Sequence, residues 1–129
     1  MKRILIIEDE VLVGDLLKKK LADEGYYAFL ARDGEKGLEE IRSQKPDLVL
    51  LDIVLPRLNG FEVMEGMKKE GSLQHIPVII ISNSGQPAEI EEAKRLGVAD
   101  WLVKTEFDPA EVVEKVQKQI GPGDEVQSV

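Results

Sequence analysis

Five short runs of apolar residues recur along the chain: Arg3–Ile7, Tyr27–Ala31, Asp47–Asp52, Pro77–Ser82 and Asp100–Val103. They are nearly continuous in apolar residues, as parallel strands covered on both faces are. Between them the apolar positions shift to helical spacing. Val13, Leu16, Leu17 and Leu21 make one stripe, and Leu38 and Ile41 mark a second, shorter one. Phe61, Met64 and Met67 form a third, Ile90, Ala93 and Leu96 a fourth, and Val112, Val113, Val116 and Ile120 a fifth. Gly25, Gly71, Gly97 and Gly121 follow these helices, where a left-handed cap residue is wanted. Asp33 is placed to cap the second helix. Asp108-Pro109-Ala110-Glu111 reads as an N-cap, a proline at the first helical position, and a glutamate completing a capping box.

Alternating strands and helices with short links predict an α/β fold: a doubly wound, five-stranded parallel sheet with right-handed crossovers. Of the common doubly wound orders, 2-1-3-4-5 has its switch point between strands 1 and 3. That order would bring Glu8, Asp9 and Asp52 side by side. No repeat, linker or second domain is evident. Residues 1–121 read as one domain, and 122–129 as a short polar tail expected to fray.

Bulk properties narrow the function classes. A chain of 129 residues suits a single core. A net charge of -8 disfavours direct contact with nucleic acid or an anionic membrane. There is no cysteine, so disulfides and thiolate metal sites are excluded. No apolar stretch approaches the roughly 18 residues of a spanning helix, and the N-terminus lacks a signal-peptide pattern. The cytoplasm is compatible with this composition.

The chemistry gathers where the strands run out. Ile4–Ile7 ends in Glu8-Asp9, and Leu48–Leu51 ends in Asp52. Val78–Ile81 ends in the Ser82 hydroxyl, and Trp101–Val103 in Lys104. Ligands of open parallel sheets bind beyond the carboxyl ends of the strands. Carboxylates crowded there repel unless they share a hard cation, and oxygen-only ligands favour Mg²⁺ or Mn²⁺. Asp52 is then a candidate nucleophile, able to form an acyl phosphate, with Ser82 and Lys104 as hydroxyl donor and point charge for a phosphoryl group. Each residue also has a plainer role. Asp9 or Glu10 would cap the first helix, and Asp52 would be a turn residue before Pro56 and Asn59-Gly60. Ser82 and Lys104 would be ordinary strand-end groups, and Trp101, the only tryptophan, core packing. His75, the only histidine, is assigned no role.

Taken jointly, these pieces resemble the receiver domain of bacterial two-component response regulators, similar to the stand-alone chemotaxis receiver, over about residues 2–120. The resemblance implies a flavodoxin-like fold and a phosphorelay role as a signalling switch. Asp52 would accept phosphoryl from the phosphohistidine of a sensor histidine kinase or phosphotransfer protein. Such a domain is no enzyme in the ordinary sense; it catalyses only its own phosphorylation and dephosphorylation. Asp9, Asp52 and the backbone carbonyl of Val54 would hold Mg²⁺, with Glu8 reaching it through water. Ser82 and Lys104 would meet the phosphoryl oxygens, and Trp101 falls where the family has its rotating aromatic switch. The fourth helix, fifth strand and fifth helix would carry the output to a downstream protein, in a stand-alone chain or one cut from a longer regulator.

Three departures stand out. The acid pair is Glu8-Asp9 rather than Asp-Asp, Asn83 replaces a small residue, and Thr105 replaces a proline usually preceded by a cis bond. A cis bond without proline costs about 2.5–4 kcal/mol, so the Lys104–Thr105 bond is expected to be trans and its loop reshaped. Val54 and Ser84 flank the path of attacking water and neither positions it well, which implies slow self-dephosphorylation. Three rival readings remain. A flavin binder would want a phosphate-cradling loop after the first strand, where Glu8-Asp9-Glu10 instead repels phosphate. An aspartyl phosphatase would want a second Asp two residues past the nucleophile, where Val54 stands. A degenerate receiver acting as a scaffold would not need the intact set of site residues. Visible absorbance and turnover of a phosphate ester separate the first two from the receiver.

Overall fold

The apolar runs assemble into one five-stranded parallel sheet, ordered β2-β1-β3-β4-β5. The strands are β1 (Arg3–Ile7), β2 (Tyr27–Ala31), β3 (Leu48–Asp52), β4 (Val78–Ser82) and β5 (Asp100–Val103). The helices between and after them are α1 (Val11–Asp23), α2 (Gly34–Gln44), α3 (Gly60–Lys69), α4 (Pro87–Arg95) and α5 (Pro109–Ile120). This computed structural model describes residues 1–83, 85–105 and 108–125. No helix among them is long and apolar enough to cross a membrane.

Side chains alternate across the sheet, and both faces are dry. Leu5, Ile7, Val49, Leu51 and Ile80 pack into one core with Leu38, Ile41, Val63, Met64, Met67 and Ala93, from α2, α3 and α4. Ile4, Ile6, Leu48, Leu50, Ile79 and Ile81 enter the other, with Leu17, Leu21, Val112, Val113 and Val116 from α1 and α5. Burial on both sides is why no polar alternation interrupts the strands.

The register decides what stands at the carboxyl edge. Ile7 lies opposite Leu51, so Glu8 and Asp52 are the next positions on neighbouring strands. Ser82 lies opposite Val103, so Lys104 is one step beyond. Glu8, Asp52 and Lys104 continue the alternation toward the α1/α5 side, whereas Ser82 and Trp101 belong to the α3/α4 side.

Local signals are met with instructive exceptions. Gly25, Gly97 and Gly121 take positive φ at helix ends, but Gly71 does not; it opens a 3-10 turn, Gly71–Leu73. The left-handed residue ending α2 is Lys45, with φ 45°. Asp33 caps α2 by accepting from the Lys36 amide at 2.7 Å. Asp108 likewise accepts from the Glu111 amide at 3.1 Å, which is half of the box predicted there. A complete capping box instead joins Asn59 and Glu62 at α3. Leu16, placed in the buried stripe of α1, is exposed along with Val11 and Leu12; Leu17 and Leu21 hold the inner face. Five apolar residues in the first seven of α1 exceed what one face can bury, so the apolar stripe is wider than the buried face. Beyond α5, the Lys2 ammonium donates to the Pro122 carbonyl at 2.7 Å and the Asp124 amide to the Gly25 carbonyl at 3.0 Å.

Two glycines should respond oppositely to alanine. At Gly34 a Cβ would lie 1.8 Å from the Leu58 carbonyl oxygen, while at Gly71 it would meet nothing within 4 Å. Gly34→Ala is expected to lose about 1–3 kcal/mol through forced backbone movement. Gly71→Ala should stay within about 0.5 kcal/mol of the parent. Urea unfolding midpoints measure both.

Candidate functional site

The loop after β3 is pinned from several directions. The Gly60 amide donates to the Ile53 carbonyl at 2.8 Å and the Gly34 amide to the Pro56 carbonyl at 3.2 Å. Arg57 sits in the left-handed region at φ 71°, a strained conformation for an arginine. A Cβ on Gly60 would fall 2.5 Å from the Asp52 carbonyl oxygen, so only glycine lets α3 start this close to the strand end. This bracing holds Asp52 in place: its Oδ1 accepts from the Val54 amide at 3.3 Å. The Val54 side chain is exposed.

Glu8, Asp9 and Asp52 come together, each offering a carboxylate oxygen within 4.8 Å of the others. Glu8 and Asp52 are buried and Asp9 is exposed. Into this group reaches Lys104, whose ammonium is 2.6 Å from Glu8 Oε1 and 2.9 Å from Asp52 Oδ2. A third acid, Glu10, lies 3.4 Å from the same nitrogen. Among the described residues there is no cis peptide bond, so Lys104–Thr105 is trans, as the missing proline predicts. The lysine still reaches both buried carboxylates. Asn83 is exposed. Ser84 lies outside the described residues.

The electrostatics follow from burying Glu8 and Asp52 side by side. Burial pushes the Glu8 carboxyl up to about 7, more than its hydrogen bonds from Lys104 and the Glu10 amide pull it down; Asp52 adds repulsion. For Lys104, burial acts to lower the pKa, but its bonds to Glu8 and Asp52 outweigh that and hold it above the ordinary lysine range. The ammonium is therefore charged and serves as the counterion of the two buried acids. The donor set is all oxygen from three carboxylates, which fits a hard divalent cation and not a soft one.

Ser82 is buried, and its carbonyl accepts the Lys104 amide at 2.7 Å, which joins the two strand ends. Trp101 packs against the core beneath α3 and α4, the plain role considered for it. Its indole Nε1 is buried without a hydrogen-bond partner among the described residues.

Two neighbours went unrecognised in the sequence. Glu10, a candidate cap and part of the acidic run in the sequence, occupies the N-cap of α1 without any side-chain capping bond. Arg32 pairs with Asp15 at 3.0 Å and reaches the Glu8 carbonyl at 3.5 Å. Space for it comes from Gly14, where a Cβ would sit 2.7 Å from its guanidinium. No periodicity or motif signals that contact.

Comparison with known proteins agrees with this architecture. A model of the response regulator receiver domain matches residues 4–117. Protein PilH of Pseudomonas aeruginosa is 38% identical over 104 residues, which is 81% of this chain and 86% of PilH. The probable transcriptional regulator ycf27 of Cyanophora paradoxa is 33% identical over 116 residues, 90% of this chain but 47% of the relative. Against that relative and others like it, the chain spans about half their length. The chemotaxis protein CheY4 of Vibrio cholerae superposes with a TM-score of 0.86 at 24% identity, covering 92% of this chain and 98% of that one; at this identity the likeness is one of fold.

The raised Glu8 carboxyl has a consequence for stability in chelator-treated protein. Between its ordinary value of 4.5 and its folded value of about 7, the native state keeps a proton that the unfolded state releases. Stability from this group is therefore present at low pH and is lost as pH rises from about 4.5 through 7. Melting temperatures across that window should fall more steeply for the parent than for Glu8→Gln. Parallel curves would show that Glu8 titrates normally.

Proposed function

This chain belongs to the response regulator receiver domain family of two-component systems, and we propose that it works as a phosphorylated switch with Asp52 as the acceptor. The observation that carries this reading is the meeting of Glu8, Asp9 and Asp52 within 4.8 Å, with the Lys104 ammonium 2.9 Å from Asp52. An Asp52 carboxylate oxygen attacks the phosphorus of a phosphohistidine. The new O–P bond forms as the P–N bond breaks, and the bonding pair returns to the imidazole. Asp9, Asp52 and the Val54 carbonyl would hold Mg²⁺ (or Mn²⁺), with Glu8 behind them; when bound, the ion supplies charge that offsets repulsion between acid and phosphoryl group.

The chain's own residues do the rest. Lys104 exchanges the Asp52 carboxylate for a phosphoryl oxygen, a charge-assisted bond of similar kind. Ser82 donates its hydroxyl from the opposite side of the sheet edge. Because Ser82 and Trp101 belong to the same face, a shift of the Ser82 loop opens room for the indole. Differential contacts of this kind are what a switch requires. The output surface in this reading is α4, β5 and α5. Val11, Leu12, Leu16 and Val54 are exposed apolar side chains on α1 and the loop after Asp52. Such a surface beside the acid suits a protein phosphodonor, a sensor histidine kinase or a phosphotransfer protein, rather than a free metabolite. Residues 1–121 form the receiver unit in this reading, its compartment is the cytoplasm, and its net charge of -8 directs output to a protein rather than to nucleic acid.

Acetyl phosphate with Mg²⁺ should add one phosphate to the intact mass, and Asp52→Asn should abolish the gain. Stoichiometric labelling of that variant would place the acceptor elsewhere.

Mg²⁺ should raise the melting temperature by mass action, by the equivalent of about 2.7 kcal/mol at one hundred times its Kd. In Asp9→Asn the rise should be lost; an undiminished response would move the metal to other ligands.

Beryllofluoride with Mg²⁺ should change Trp101 emission, and Asp52→Asn should remove the response. An unchanged spectrum in protein shown by mass to be fully modified would leave the indole as ordinary core.

A further inference from the structure

Lys104 has more acid around it than neutrality needs. Its ammonium meets two buried carboxylates, Glu8 and Asp52, and also the half-exposed carboxylate of Glu10. Glu10 is unusual in what it does not do. It occupies the N-cap of α1, where an acidic side chain can turn inward to satisfy the first free amides. Its side chain makes no such bond. Its Oε1 lies instead 3.4 Å from Lys104 Nζ, while its own amide donates to Glu8 Oε2 at 3.1 Å. The amide bond fixes where Glu10 starts, and the carboxylate rises from there to the rim. Glu10 also lies outside the three-acid group that could hold a metal.

We propose that Glu10 is a positioning residue that tethers the Lys104 ammonium at the mouth of the carboxylate pocket. The proposal rests on the reading of Asp52 as phosphoacceptor. In the structure described here the ammonium is shared among three acids. Once Asp52 carries a phosphoryl group and Glu8 faces a cation, both buried partners are engaged elsewhere. Glu10 then remains as the one acid of the three with no competing ligand. It keeps Lys104 at the rim, where the phosphoryl oxygens arrive, and spares the lysine a choice between a deep ion pair and solvent. Its half-exposed position suits this task, because a fully buried third acid would add repulsion to Glu8 and Asp52.

The test is a double-mutant cycle read by phosphorylation rate at saturating Mg²⁺, where any effect of Glu10 on metal affinity is removed. Glu10→Gln keeps the shape and removes the charge. It should slow labelling of Asp52 by acetyl phosphate about two- to fivefold, the scale of a half-exposed ion pair. In a Lys104→Met background, already slow, Glu10→Gln should slow it no further. An unchanged rate in the single variant, or the same slowing in both backgrounds, overturns the proposal. A second readout needs no phosphorylation. In unliganded, isotope-labelled protein, the Lys104 Nζ resonance, assigned by its loss in Lys104→Met, should shift in Glu10→Gln. No shift overturns the tether. If the parent protein takes no phosphate, the phosphoacceptor reading fails by itself, and the resonance still decides whether Glu10 holds the lysine.

Discussion

A lysine ammonium held between two buried carboxylates, Lys104 with Glu8 and Asp52, is the interaction on which the carboxyl edge of this molecule depends. Buried ions of this kind are poor sources of stability. The cost of taking them out of water often exceeds what their attraction returns, and removing one partner leaves a stranded charge. The arrangement buries the Asp52 carboxylate beside a compact positive charge, in a setting where each interaction is stronger than in solvent.

Alternation across the sheet makes that arrangement available. β4 lies between β3 and β5, so Lys104 must pass over the end of an intervening strand to reach Asp52. It can do so because Lys104, Asp52 and Glu8 share one side of the edge, while Ser82 belongs to the other. The backbone bond from the Lys104 amide to the Ser82 carbonyl ties the two strand ends. Trp101 lies on the Ser82 side, its indole nitrogen without a partner among the described residues.

The surrounding fold bears the cost. Two dry cores clamp the strands from both sides, and α3 closes against Asp52 where Gly60 and the Asn59–Glu62 capping box permit it. Receiver domains that share only a quarter of their residues with this chain still superpose on it over most of their length. Burial on two faces needs apolar residues of suitable volume more than particular ones, so identity can drift while the edge stays in register.

Much of this was legible in the residue order. Continuous apolar strands, helical spacing between them and acids at the first and third strand ends determine a parallel α/β sheet with carboxylates at its switch point. Those signals are local or periodic, and they survive without knowledge of neighbours. The α1 stripe of Val13, Leu16, Leu17 and Leu21 is too wide by Leu16, because periodicity cannot say which of so many apolar residues face the core; only packing against α5 and the sheet settles that. Gly71 reads as a helix cap, but the chain enters a 3-10 turn instead, since Leu73 has a buried place to fill. The reach of Lys104 past Thr105, the turn of Glu10 toward it, and the seat of Arg32 over Gly14 were decided by tertiary structure alone. Each is a contact between side chains far apart in sequence, and its distance is set by how strands and helices pack rather than by any spacing along the chain.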